Sequence, residues 1–199
     1  MRLPACAVAV ALLLSAGPGF AAATFAAGSA ADEPGLRIDT ARSLAGFSVR
    51  AAWVKRLDGR FAHIEGVVRP EPRPDTWMLE VRVASGSVLM DRTTYEDWAR
   101  SPEFFHATQH PWIEYRSHGL PSALLASGGS IEGVLSLRGI SRPVSFELLP
   151  ADCDRPGLDC PVQARGEVSR GEFGMDARRL FVSDRVRLSF DIRLHPGDE

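Results

Sequence analysis

What most constrains this chain is a strict two-residue alternation of apolar and polar side chains. It is clearest in Arg187-Leu188-Ser189-Phe190-Asp191-Ile192-Arg193-Leu194. Successive side chains of an extended strand point to opposite faces of a sheet, so this run has one dry face and one wet face. The same period recurs upstream. Trp77, Leu79, Val81 and Val83 alternate with Met78, Glu80 and Arg82, and Val144, Phe146 and Leu148 with Ser145 and Glu147. Phe47, Val49 and Ala51 oppose Ser48 and Arg50, while Ile113 and Tyr115 share a face, as do Ile131, Gly133, Leu135 and Leu137. Phe61 to Val68 reads as a strand of mixed pattern, with Gly59 and Gly66 near its ends.

Turn clusters punctuate these runs at Pro70-Glu71-Pro72-Arg73-Pro74-Asp75, Ser127-Gly128-Gly129-Ser130 and Arg138-Gly139-Ile140-Ser141-Arg142-Pro143. The connections are mostly too short for crossovers, so the strands are predicted to pair antiparallel in a sandwich or barrel. Closure into a barrel removes exposed edges, and about eight strands leave an interior just wide enough to be filled or to hold one small ligand. One segment breaks the pattern. Asp91 to Arg100 reads as a short helix with Asp91 as N-cap, Tyr95 and Trp98 on one face, and Ser101-Pro102 as its stop. Such an insertion can plug or line one end of a barrel.

The N-terminus reads as a signal peptide, residues 1–31, followed by one domain at 32–199. Arg2 is a minimal positive region, Ala5 to Leu14 is apolar, Gly17-Pro18-Gly19 breaks any helix, and Ala21-Ala22-Ala23 is one of several cleavage registers. An uncleaved anchor is the alternative to export, since Leu3 to Ala31 carries no charge. After cleavage no stable membrane insertion is expected, and the location is expected to be periplasmic. Cleavage also removes Cys6, leaving Cys153 and Cys160 around the turn Asp154-Arg155-Pro156-Gly157. Two cysteines in an exported domain are read as one disulfide, worth about 2–3 kcal/mol by loop entropy. The alternative, a metal-binding pair, lacks further thiolates.

The 199 residues carry a formal charge of −2 and no basic stripe, so nothing speaks for nucleic acid. There is no G-x-S-x-G elbow, no G-x-G-x-x-G and no P-loop. His106 and His110 are spaced as metal ligands on a helix would be, but Pro111 follows at once, and no metal is expected there. Glu96 and Asp97 are adjacent and would face different ways on a helix, so paired acid–base chemistry is not expected either. The aromatics Phe47, Phe61, Trp77, Phe104, Phe105, Trp112, Tyr115, Phe146 and Phe190 are compatible with a filled core or a lined cavity.

Several motifs together resemble the YceI-like family. They are Ile38-Asp39-Thr40-Ala41-Arg42-Ser43 before Phe47-Ser48-Val49-Arg50, Gly59-Arg60-Phe61 before Glu65-Gly66, and Ala84-Ser85-Gly86-Ser87-Val88. Further on come Arg100-Ser101-Pro102-Glu103-Phe104-Phe105 with His110-Pro111 and Tyr115-Arg116-Ser117, then Gly133 through Val144, then Arg170 with Phe173-Gly174 and Ser183-Asp184-Arg185-Val186. Their order and spacing span Leu36 to Leu194.

The resemblance implies an all-β fold: a single antiparallel lipocalin-like barrel of about eight strands with a short helical insertion. It further implies a periplasmic binding or carrier protein, not an enzyme, that holds a polyisoprenoid, an isoprenoid quinone or a similar long apolar lipid. No cofactor is implied beyond that bound isoprenoid lipid or quinone. Candidate cavity residues are Phe47, Val49, Phe61, Leu79, Val81, Trp98, Phe104, Phe105, Ile113, Tyr115, Leu135, Leu137, Phe146 and Phe190. Tyr95, Trp98 and His110 depart from the family pattern, as does the Cys153–Cys160 loop; the bulkier aromatics would narrow or shorten the long apolar tunnel that the resemblance implies. The alternatives are an accessory role in membrane electron transfer or stress response, or an enzyme acting on isoprenoid lipids. A homodimer is left open.

Overall fold

The alternating runs form one antiparallel sheet in the computed structural model, which describes residues 35–52 and 55–197. The expected signal peptide lies outside the described residues. The first strands are β1 (Leu36–Ile38), β2 (Leu44–Ala51), β3 (Lys55–Phe61), β4 (Ile64–Pro70), β5 (Thr76–Ala84) and β6 (Val88–Met90). After helix α1 (Thr93–Arg100) come β7 (Trp112–Pro121), the single turn α2 (Leu124–Ser127), β8 (Gly129–Leu137), β9 (Ile140–Leu148), β10 (Val162–Ser169), β11 (Val182–Ile192) and β12 (Leu194–Pro196). Pairing runs β12-β1-β4-β5-β7-β8-β9-β10-β11-β2-β3-β6.

The expected closed barrel of about eight strands is therefore a curled half-barrel of twelve. Among the described residues the ladder has two ends, β12 and β6, so its hydrogen bonds do not close a ring. The strand expected over Phe61 to Val68 is cut in two: β3 ends at Phe61, and β4 begins at Ile64. Its neighbour breaks at the same level, where a 3-10 turn at Ser85–Ser87 separates β5 from β6. Both bend as one ribbon, because the Ala62 amide donates to the Ser87 carbonyl (3.0 Å) and the Ala84 amide to the His63 carbonyl (3.1 Å). The short strands β1 and β12 pair with each other at the far edge.

Local sequence explains most of the remaining geometry. Arg138 and Gly139 both take positive φ, 54° and 74°, in the two-residue loop joining Leu137 to Ile140. That is the backbone a tight hairpin needs to match strand twist. The helix starts later than expected: it begins at Thr93, with Arg92 rather than Asp91 at the N-cap and no side-chain cap. The Glu96 carboxylate instead turns back to accept the Met90 amide at 3.0 Å, which fixes the helix to β6. Arg100 completes the attachment by donating to the carbonyls of Gly86 (3.0 Å) and Val88 (2.7 Å). Cys153 and Cys160 form a disulfide with a Cα–Cα separation of 6.2 Å. Leu158, inside the bridged loop, packs on the apolar cluster that holds Ile38 and Leu194.

Candidate functional site

The inner face of the sheet encloses a cavity of about 280 Å³. It runs from α1, where Tyr95, Trp98 and Ala99 line it, to α2, where Leu124 and Leu125 do. These two elements adjoin opposite ends of the ten-residue strand β7, a length of about 30 Å at ~3.3 Å per residue.

All fourteen candidate residues line this one space. Phe47 and Val49 enter from β2, Phe61 from β3, Leu79 and Val81 from β5, and Ile113 and Tyr115 from β7. Leu135 and Leu137 come from β8, Phe146 from β9 and Phe190 from β11. Trp98 stands on α1, while Phe104 and Phe105 follow it in the loop. Alternation brings the strand residues together, since these positions share one parity on any given strand.

Two aromatic groups divide the interior. Phe105 meets Phe61 at 5.5 Å between ring centroids and Phe47 at 5.9 Å, and Phe47 meets Phe61 at 5.5 Å. Deeper along the sheet, Phe146 is edge-on to both Tyr115 (4.9 Å) and Phe190 (5.4 Å). Phe105, which like Ile113 and Phe190 packs against both of the protein's apolar clusters, lies between them. Its place is set by the backbone: the Phe105 amide donates to the Ala99 carbonyl at 2.9 Å, folding the loop back under the helix.

Polar groups at the cavity wall are few and satisfied. The Tyr115 hydroxyl donates to the Ile131 carbonyl at 3.1 Å, and burial pushes its pKa up to about 12. Arg170 is only 2% exposed. It donates to the carbonyls of Ser183 (3.0 Å), Val182 (3.0 Å) and Met175, joining the turn Arg170–Phe173 to β11. Burial lowers the pKa of its guanidinium, against the pull of Asp184 and Asp176. Arg170 also faces the Phe104 ring at 5.8 Å.

The other side chains considered for chemistry lie apart. The rings of His106 and His110 are 5.7 Å apart and edge-on. Glu103 accepts from the Trp98 indole (2.9 Å) and Arg178 (3.3 Å), and these two donors hold its carboxyl below the usual range. His118 pairs with Glu71 at 3.1 Å. Glu96 and Asp97 both turn to Arg100. Among the described residues, no three His, Cys, Asp or Glu side chains converge as a metal site would require. No described helix is long and apolar enough to cross a membrane.

Some lining residues were missed by sequence reasoning. Val162, Ala164 and Val168 of β10, Met175 and Val182 beyond it, Leu124 and Leu125 of α2, and Arg170 all border the cavity. The β10 signal was present in the alternation of Val162, Ala164, Gly166 and Val168 with Gln163, Arg165 and Glu167, but small residues muted it. Arg170 was visible only as part of a motif.

A family model described as YceI-like domain matches residues 36–194. No curated protein matches the chain. Among solved structures, a polyisoprenoid binding domain from Saccharophagus degradans implicated in plant cell wall breakdown has a TM-score of 0.62 at 12% identity, covering 83% of this chain and 100% of that one. Burkholderia cenocepacia BcnA gives 0.65 at 16% identity, over 79% and 99%. The Campylobacter jejuni YCEI protein gives 0.52 at 18%, over 71% and 85%. At these identities the likeness is one of fold. The match over residues 36–194 carries the assignment: the chain belongs to the YceI-like domain family.

Proposed function

We propose that this protein holds a polyisoprenoid, an isoprenoid quinone or a similar long apolar lipid in its cavity and carries it through the periplasm. The observation that carries the reading is the lining. Among the described residues around the space, all but Glu114, Ser122 and Arg170 are apolar or aromatic. Glu114 pairs with Arg116 at 3.2 Å, and Arg170 is spent on carbonyls. An isoprenoid chain gains about 25 cal/mol per Å² of apolar area removed from water, from which ordering and association costs are subtracted. The polyisoprenoid binding domain among the structural relatives supports the same ligand class. The Cys153–Cys160 bridge fits an oxidising compartment.

The aromatic lining refines the reading. The rings of Phe47, Phe61 and Phe105 meet one another inside the cavity and take up part of it. A long chain is expected to displace Phe105 from Phe47 and Phe61. Titration with prenols of increasing length, followed by tryptophan fluorescence, tests this. Binding is expected to strengthen with chain length; a protein that binds none of them contradicts the proposal.

A further inference from the structure

Leu180 is 78% exposed and Phe181 is 65% exposed. They are the most exposed of the large apolar side chains among the described residues. Neither sits on a loose tail. The Phe181 amide donates to the Arg178 carbonyl (2.8 Å), and the Ala52 amide donates to the Phe181 carbonyl (2.7 Å), so the pair is held against the end of β2. The adjoining Val182 lines the cavity.

This loop belongs to the rim at the α1 end. Arg178 lies over the Trp98 ring at 4.6 Å and bonds Glu103. Across the rim, Lys55 donates to the Tyr95 hydroxyl at 3.1 Å. Tyr95 and Trp98 both line the cavity, so Leu180 and Phe181 project at its α1 end.

The local charge differs from that of the whole chain. Segments 50–58 and 176–181 carry Arg50, Lys55, Arg56, Arg178 and Arg179 against Asp58 and Asp176, in a chain with a net charge of −2. Arg56, Arg178 and Arg179 form ion pairs, but each of the three is more than half exposed. Such surface pairs are weak and exchange readily. Of the carboxylates of α1 at this end, Glu96 is sheltered against Arg100, while Asp97, 79% exposed, is the acidic group the patch retains.

We propose that the α1 end of the protein docks on an anionic lipid surface, with Leu180 and Phe181 inserted between headgroups and Lys55, Arg178 and Arg179 on the phosphates. The inference rests on the carrier reading above, and it names where cargo enters and leaves. Two protruding apolar side chains, with amphipathic aromatics behind them and cations beside them, match the chemistry of a membrane interface. They are too few for a stable protein interface, which buries about 800 Å² on each partner. A chain that passed between bilayer and cavity at this docked end would be spared a crossing through water.

The test uses the mature protein and two kinds of vesicle: phosphatidylcholine alone, and phosphatidylcholine with one third phosphatidylglycerol. Co-sedimentation is expected with the second and not the first, weakening as salt screens the phosphates. Replacing both residues, Leu180→Ser with Phe181→Ser, is expected to weaken that binding at least tenfold. Unfolding and uptake of a prenol delivered from cyclodextrin should be unchanged. Vesicle binding equal in the double variant, or none in the wild type, overturns the docking inference. In the latter case, prenol uptake from cyclodextrin would leave the carrier reading standing. A protein that binds vesicles through Leu180 and Phe181 but takes up no prenol supports docking and removes the carrier reading.

Discussion

The ring of Phe47 occupies the space that a side chain at Gly59 would need. The two residues are opposite each other in the β2–β3 pair, and a Cβ at Gly59 would lie 2.3 Å from the ring. Phe146 sits over Gly166 in the same way, with the residues again paired and the distance again 2.3 Å. Bare backbone on one strand therefore seats an aromatic ring from the next. Gly59→Ala should displace Phe47 and cost about 1–3 kcal/mol of stability, as overpacked cores do. Urea unfolding checks this, and an unchanged midpoint would mean the ring moves freely.

Phe105 is expected to set the usable length of the cavity. Phe105→Ala removes the ring that bridges Phe47 and Phe61. The variant should lose up to about 3 kcal/mol of stability, less than a fully enclosed phenylalanine, because one side of the ring already faces the cavity. It should bind long prenols more tightly than the wild type while leaving the shortest little changed. A length series followed by fluorescence measures the difference.

Tyr115 predicts a defined alkaline response. Burial raises its pKa from 10.0 to about 12. The unfolded phenol ionises first, so the contribution to stability is complete below pH ~10 and is lost as pH rises toward 12. The loss over that window is about 2–3 kcal/mol. Denaturation midpoints at pH 9 and pH 12 should show it, and Tyr115→Phe should flatten that part of the profile.

Arg170 should behave as a positioning residue for the cavity wall. Its guanidinium satisfies the carbonyls of Met175, Val182 and Ser183, two of which belong to residues that line the cavity. Arg170→Met leaves those carbonyls without their donor, at an expected cost of about 3 kcal/mol or more. Arg170→Lys should restore little, because one ammonium cannot match a planar fork of donors. Calorimetry of the two variants beside the wild type would decide.

The inner face of the sheet was legible because one parity of Phe47-Val49, Leu79-Val81 and Leu135-Leu137 is apolar and the pleat sends that parity to one side. Trp98 and Tyr95 were legible from helical spacing. The corner at Ala62-His63 was not, since it depends on two neighbouring strands breaking together, which is a pairing event rather than a local preference. Nor was the irregularity in β11. Val182 pairs with Ala51 and Val186 with Val49, so four residues of β11 advance against two of β2. The role of Arg170 was hidden for a similar reason: its partners lie 5 to 13 residues downstream and meet it only after β11 has folded back.

The most direct test of the central claim is mass spectrometry of an organic extract from protein purified from the periplasm without detergent. The account predicts a long-chain isoprenoid or isoprenoid quinone in stoichiometric amount. An extract with no such lipid, from a protein that also refuses added polyprenyl chains, would contradict it.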